Sequence, residues 1–350
     1  MTTQNLHSTE LPIGIAENAI MHTDSQAPFD LETKFDMVRN AGIFDYLDID
    51  PPTTQLKAYR DLSAKYELPV RACGYIYKVG RDETLLEEHL QIAASLGSKV
   101  LNVQMLRHHE RGYIASNEEI AQAYARAADI GEKLGCLPVF EVHVDMWSED
   151  FCRVEQVANL VEAGGRPFRL TLDPSHLIFK MDNAQEEEVL NLRQDLEDGS
   201  VVLDPSKPNN VMGRWINRNL VWHAHARSAV PNNPKNINAH HPDGRVGRGI
   251  QYPFIKPEEG QYHAPWSASA LDPWKDSMRL LLSHHAADPA SPLGQISVEF
   301  IPFADYGGGG KYSIFENAVA CGHWLRDEIA VLRDGKKERL EGRLTSPRRS

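Results

Sequence analysis

Short apolar runs of strand length alternate along this chain with longer segments whose apolar positions recur every three to four residues. The runs are IGIAENAI (13–20), FDYLDID (44–50), PVRACGYIY (69–77), KVLNVQML (99–106), LPVFEVHVD (137–145), FRLTLDPSH (168–176), NLVWHAHARSA (219–229) and GQISVEFIP (294–302). Between them lie amphipathic segments. DLETKFDMVRNAG starts with Asp30 as N-cap and stops at Gly42, and SNEEIAQAYARAADIGEKLGC carries a capping box in Ser116 and Glu119. TTQLKAYRDLSAKYEL, DETLLEEHLQIAASLGS, FCRVEQVANLVEAGG and FENAVACGHWLRDEIAVL have the same periodicity. This alternation predicts an α/β fold, a closed (β/α)8 TIM barrel of parallel strands joined by right-handed crossovers. An open doubly wound sheet is the competitor, weakened because no GxGxxG follows the first strand.

The regular spacing breaks twice. Residues 180–219 enlarge the sixth crossover with an acidic helical piece, and 230–270 are dense in Pro, Asn, Gly and His with little periodicity. A loop of that length is usually functional, as a lid or partner surface. The expected organisation is an N-terminal extension over 1–11, one barrel domain over 12–335, and a charged, poorly ordered tail over 336–350.

Polar residues inside the apolar runs carry the chemistry. Glu141 and His143 stand two apart in LPVFEVHVD, so on a strand they share a face, and burying both is costly unless they are paired or bound to a metal. Asp173, His223, His225 and Glu299 come late in the next three runs. In a barrel those strand ends converge on one mouth. Glu141, Asp173, His225 and Glu299 therefore form a candidate set of three oxygen donors and one nitrogen. That set suits one divalent ion, Mn²⁺ first and then Mg²⁺, Co²⁺ or Fe²⁺, rather than a thiolate metal. His223 shares the face of His225 but lies deeper, so His225 is the expected ligand and His223 a candidate substrate contact. His143 and His176 fall at the rim as candidate general bases, and Arg227 as a donor to a substrate oxygen. Trp147, Trp222 and Trp266 are candidates to stack on a substrate ring.

The GGGG run before Lys311 does not match GxxxxGK[ST], so close backbone approach is its expected role, and Gly247 and Gly249 carry the same expectation. The net charge of −12 and pI of 5.7 argue against nucleic acid as partner. With no apolar run of about 18 residues and no signal-like start, a cytoplasmic protein away from membranes is expected. Cys73, Cys136, Cys152 and Cys321 show no CxxC spacing and are expected to be free thiols.

Glu141, the DPSH run with Asp173 and His176, the HAHAR run with His225, the VGRGIQY loop and the VEF run with Glu299 together resemble the xylose isomerase-like superfamily of sugar isomerases and epimerases, over residues 12 to 335. The resemblance implies a (β/α)8 barrel in which Glu141, Asp173, His225 and Glu299 bind one divalent metal, with His176 and Arg227 touching a sugar. Its 3-epimerases use the strand-five and strand-eight glutamates as an acid/base pair, here Glu141 and Glu299. The EVH sequence departs from that pattern, and with the long loop after strand seven it resembles the catalytic α subunit of C-glycoside deglycosidases. That would imply a small β-rich partner subunit and removal of a C2 proton from a 3-oxo sugar by His143. The expected function is thus proton abstraction beside a sugar carbonyl: C–C cleavage of 3-oxo-C-glycosides, or alternatively isomerisation or 3-epimerisation of a ketose. An endonuclease-like hydrolase of abasic sites and a non-catalytic partner subunit rank lower. An oligomer is expected.

Overall fold

The barrel is built from β1 (Ile13–Ala16), β2 (Tyr46–Ile49), β3 (Val70–Tyr77), β4 (Val100–Met105), β5 (Leu137–Glu141), β6 (Leu170–Leu172) and β7 (Val221–Ala226); after a hairpin of β8 (Asn236–His240) and β9 (Val246–Gly247) comes β10 (Gln295–Val298). The computed structural model describes residues 11–21 and 29–345, with side chains as far as Asp334. All barrel pairs are parallel, in the closed order β1-β10-β7-β6-β5-β4-β3-β2. Each of the eight predicted runs supplies one barrel strand.

The helices α1 (Leu31–Ala41), α2 (Leu56–Tyr66), α3 (Glu83–Leu96), α4 (Asn117–Leu134), α5 (Phe151–Ala163), α9 (Asp272–Ala287) and α10 (Ile314–Thr345) follow barrel strands or their loops, and the enlarged sixth crossover adds α6 (Ser175–Ile178), α7 (Leu192–Glu197) and α8 (Val211–Asn217). The predicted caps form: Asp30 accepts from the Thr33 amide at 2.8 Å, Gly42 takes the left-handed conformation, and Ser116 and Glu119 close their box. No helix among the described residues is long and apolar enough to cross a membrane.

Inward positions alternate along each strand, as the pleat requires. Tyr46, Ala72, Val100 and Val139 form a small apolar cluster, separate from the main core. Gly14 makes room there, because a Cβ on it would lie 2.2 Å from the Tyr46 ring. Two residues further along, the inward set turns polar with Asp48, Asn102 and Glu141, all buried. The strands carry the site at their C-terminal ends because the apolar side chains that fill the barrel stop there.

Some expectations are corrected. β5 ends at Glu141 rather than Asp145: after the Val142 amide bonds to the Thr171 carbonyl, the Ser148 hydroxyl takes over, donating to the Glu141 carbonyl and accepting from the His143 amide. α10 runs on through residues 336–345, a stretch with the good helix formers of KKERLEGRL; residues 1–10 of the N-terminal extension and 346–350 lie outside the described residues. Trp147 is fully buried, Trp222 faces the Arg169 guanidinium, and the Trp266 indole donates to the Pro253 carbonyl, so none of them lines the cleft above the strand ends. All four cysteines are free.

Candidate metal centre

Glu141 ends β5, Asp173 follows β6, His225 lies in β7 and Glu299 follows β10, and one ligand atom from each falls within 4.8 Å of the others. His225 Nδ1 is 2.9 Å from Glu141 Oε1 and 3.2 Å from Glu299 Oε2. Glu141 Oε2 accepts from Asn102 Nδ2 at 2.6 Å and Gln104 Nε2 at 2.7 Å, both reaching in from β4. Arg227 spans the other side, donating to Glu299 at 2.9 Å, to Asp173, to the Ser175 hydroxyl at 3.1 Å and to His176 Nε2 at 2.7 Å. Asp173 also accepts from the Ser175 amide at 2.9 Å.

Three carboxylates converge here on one imidazole. Burial would lower the His225 pKa, yet Glu299 and Glu141 raise it well above its ordinary value. Burial raises Glu141 in turn, but His225 outweighs it and holds the carboxyl at about 2. Asp173 is pushed up to about 6 by burial and by the neighbouring Glu299 and Glu141 charges, against the pull of Arg227. His225 Nδ1 faces the oxygens of Glu141 and Glu299, so the same atoms could hold a divalent ion between them. The hard-oxygen donor set with one imidazole fits Mn²⁺, Mg²⁺, Co²⁺, Fe²⁺ or Zn²⁺.

Above the cluster opens a cleft of about 1080 Å³, lined among others by Asp48, Asn102, His143, His225, Glu299 and Tyr306. His143 stands at its wall with Nδ1 2.6 Å from the Val144 carbonyl and Nε2 3.0 Å from the Tyr306 hydroxyl. The geometry places the proton on Nδ1 and leaves the Nε2 lone pair to accept from Tyr306. The Tyr306 ring lies over the Arg227 guanidinium at 4.3 Å.

His143 and His176 are brought together, their rings 4.1 Å apart. His176 and Arg227, expected to touch substrate, are enclosed beneath the cleft wall and engage the carboxylates instead. His223, also expected near substrate, lies in the barrel interior with its nitrogens 3.0 Å from Ser297 Oγ and 3.3 Å from Thr171 Oγ1, away from the cleft. Sequence reasoning missed Asp48, Asn102, Gln104 and Tyr306. The i, i+2 polar pair in LNVQM carried the signal for two of them; nothing local marks Tyr306.

No family model matches the sequence, and no curated protein matches it significantly. Solved structures do match. D-allulose 3-epimerase from Methylomonas sp. aligns with TM-score 0.54 at 13% identity, over 91% of this chain and 98% of that one. The chain shares the fold of the sugar epimerases. L-ribulose 3-epimerase aligns with TM-score 0.53 at 12% identity, over 97% and 99% of the two chains, and the IolI protein with a bound zinc atom with TM-score 0.52 at 15% identity, over 92% and 99%. The likeness to these structures is one of fold, the closed barrel that the sequence resemblance implied.

Proposed function

We propose that this protein is a divalent-metal-dependent sugar isomerase or epimerase that removes a proton from the carbon beside a sugar carbonyl. The observation that carries this reading is the convergence of Glu141, Asp173, His225 and Glu299 within 4.8 Å at the mouth of the barrel. Support comes from the neighbours of the same fold, two of them 3-epimerases and a third holding zinc. A divalent ion held by these four residues supplies electrophilic polarisation of a carbonyl, which acidifies the adjacent C–H.

The chain's own residues do the rest. Arg227 and His176 hold Asp173 and Glu299 in place from below. Asn102 and Gln104 fix the Glu141 carboxylate, so both its oxygens are engaged. His143 lines the cleft with Nε2 as its unprotonated nitrogen, and once the Tyr306 hydroxyl turns away that lone pair is the base for a C–H on its side of the site. Glu299, which also lines the cleft, is our candidate partner for reprotonation on the other face, the step that turns abstraction into epimerisation.

The engagement of Glu141 favours a second reading, C–C cleavage of 3-oxo-C-glycosides with His143 as base and a small β-rich partner subunit. Both readings share the first step. The chelator-treated protein, assayed in D₂O with Mn²⁺ against ketoses and oxidised C-glycosides, is expected to exchange deuterium into the carbon beside the carbonyl only when metal is restored. An epimeric ketose as product supports the first reading, and release of a free aglycone supports the second. Metal-independent exchange, or none on any substrate, would remove both.

A further inference from the structure

His225 has two ring nitrogens, and the proposed ligand role occupies only one. Nδ1 faces Glu141 and Glu299, while Nε2 points across the barrel at Asp48 Oδ2 of β2, 3.5 Å away. Both atoms are buried, and neither has another hydrogen-bond partner among the described residues. An unsatisfied buried carboxylate oxygen and an unsatisfied imidazole nitrogen facing each other are costly apart and complementary together. If Nδ1 gives its lone pair to a metal, the remaining proton must sit on Nε2, where Asp48 is the acceptor in reach.

The neighbouring His223 decides against the rival use of these atoms. Asp48, His223 and His225 are close enough to suggest a second metal-binding trio, with His223 Nε2 4.0 Å from Asp48 Oδ2. Yet both nitrogens of His223 are taken up by the hydroxyls of Ser297 and Thr171, and a metal there would break those bonds.

We infer that Asp48 is the positioning carboxylate of the metal centre, accepting the Nε2 proton of His225 and so presenting Nδ1 to the ion. Asp48 acts through His225 and is not itself a ligand. The inference rests on the proposed metal site, and loss of such a partner typically weakens metal affinity about 10- to 100-fold.

The test is Mn²⁺ titration of the chelator-stripped full chain by calorimetry, comparing wild type with Asp48→Asn, which keeps an acceptor but no charge, and Asp48→Ala, which keeps neither. Wild type is expected to bind one ion per chain. Asp48→Ala should bind one ion about 10- to 100-fold more weakly, with Asp48→Asn between. The melting temperature of the metal-free form reports folding independently; if Asp48→Ala does not fold, Asp48→Asn carries the comparison. Wild-type affinity in the folded variants would overturn the inference and leave the metal site intact. Two ions in wild type falling to one in the variants would make Asp48 a ligand and overturn it as well. No binding by wild type would overturn the metal reading itself, and the inference with it.

Discussion

At the residue scale, the tautomer of His143 is set from two sides, by the Val144 carbonyl on Nδ1 and the Tyr306 hydroxyl on Nε2. A base held this way loses its function without its surroundings collapsing when the ring is removed. His143→Ala is expected to keep the metal and lower kcat about 10²- to 10⁴-fold, read by steady-state kinetics beside a metal assay. Tyr306→Phe removes the donor that occupies this lone pair while the Val144 carbonyl still sets the tautomer, so kcat is expected to stay at or above the wild-type value, within about 10-fold, with metal affinity unchanged. Near wild-type turnover in His143→Ala would transfer the base role to Glu141 or Glu299. The four candidate ligands were legible in the sequence because strand ends are the one part of a barrel whose position follows from counting strands. Tyr306 was not, since its place over Arg227 is fixed by contacts between two loops. Asp48 was hidden in the opposite way, inside a run whose polarity reads equally well as the end of a strand.

The loop elements around the mouth explain the glycines. Asn236, at the start of β8, donates to the carbonyls of Ala304, Tyr306 and Gly308 at 3.0, 3.0 and 2.7 Å, which seats the loop bearing Tyr306. Gly247 packs against the Ala304 carbonyl, where a Cβ would come within 1.7 Å, so this glycine serves loop-on-loop packing rather than approach to the carboxylate cluster. Gly249, at φ +80°, lies where a Cβ would be 2.1 Å from the Pro234 carbonyl. Gly249→Ala is therefore expected to destabilise the fold by about 1–3 kcal/mol in urea unfolding. The long loop after β7 was recognisable from composition as an insertion, but its hairpin and its pairing with the GGGG run were not, because both depend on partners far away in sequence.

A buried ion network locks these loops to the turn that carries His143. Glu149 accepts from Lys180 at 2.9 Å and Arg248 at 2.6 Å, and its other oxygen accepts from the Asp145 amide at 2.7 Å. Burial would raise the Glu149 pKa, but Lys180 and Arg248 outweigh it and bring it from 4.5 down to about 2. A depressed carboxylate contributes stability that is fully present above its unfolded pKa and is lost as pH falls through the folded one. The window therefore runs from about pH 4.5 down to about pH 2, with of order 3 kcal/mol at stake. Urea midpoints across that window should fall more steeply for wild type than for Glu149→Gln; equal slopes would show that the network does not carry the acid sensitivity.

On the scale of the whole molecule, the alternation of apolar runs and amphipathic helices was sufficient for the barrel, since seven crossovers of one hand between eight strands admit few other closures. The runs also located the site, at the C-terminal ends of β5, β6, β7 and β10. What they could not convey is which polar side chains face the cleft and which are enclosed beneath it. Arg227 and His176 are the instructive cases: their chemistry suits substrate binding, while their burial commits them to Asp173 and Glu299. The account as a whole rests on a single cation at the barrel mouth. Crystals grown with Mn²⁺ and measured at the manganese edge test that claim directly. One anomalous peak per chain within bonding distance of Glu141, Asp173, His225 and Glu299 is the result expected. No peak there, or a peak between Asp48 and His223 instead, would contradict it.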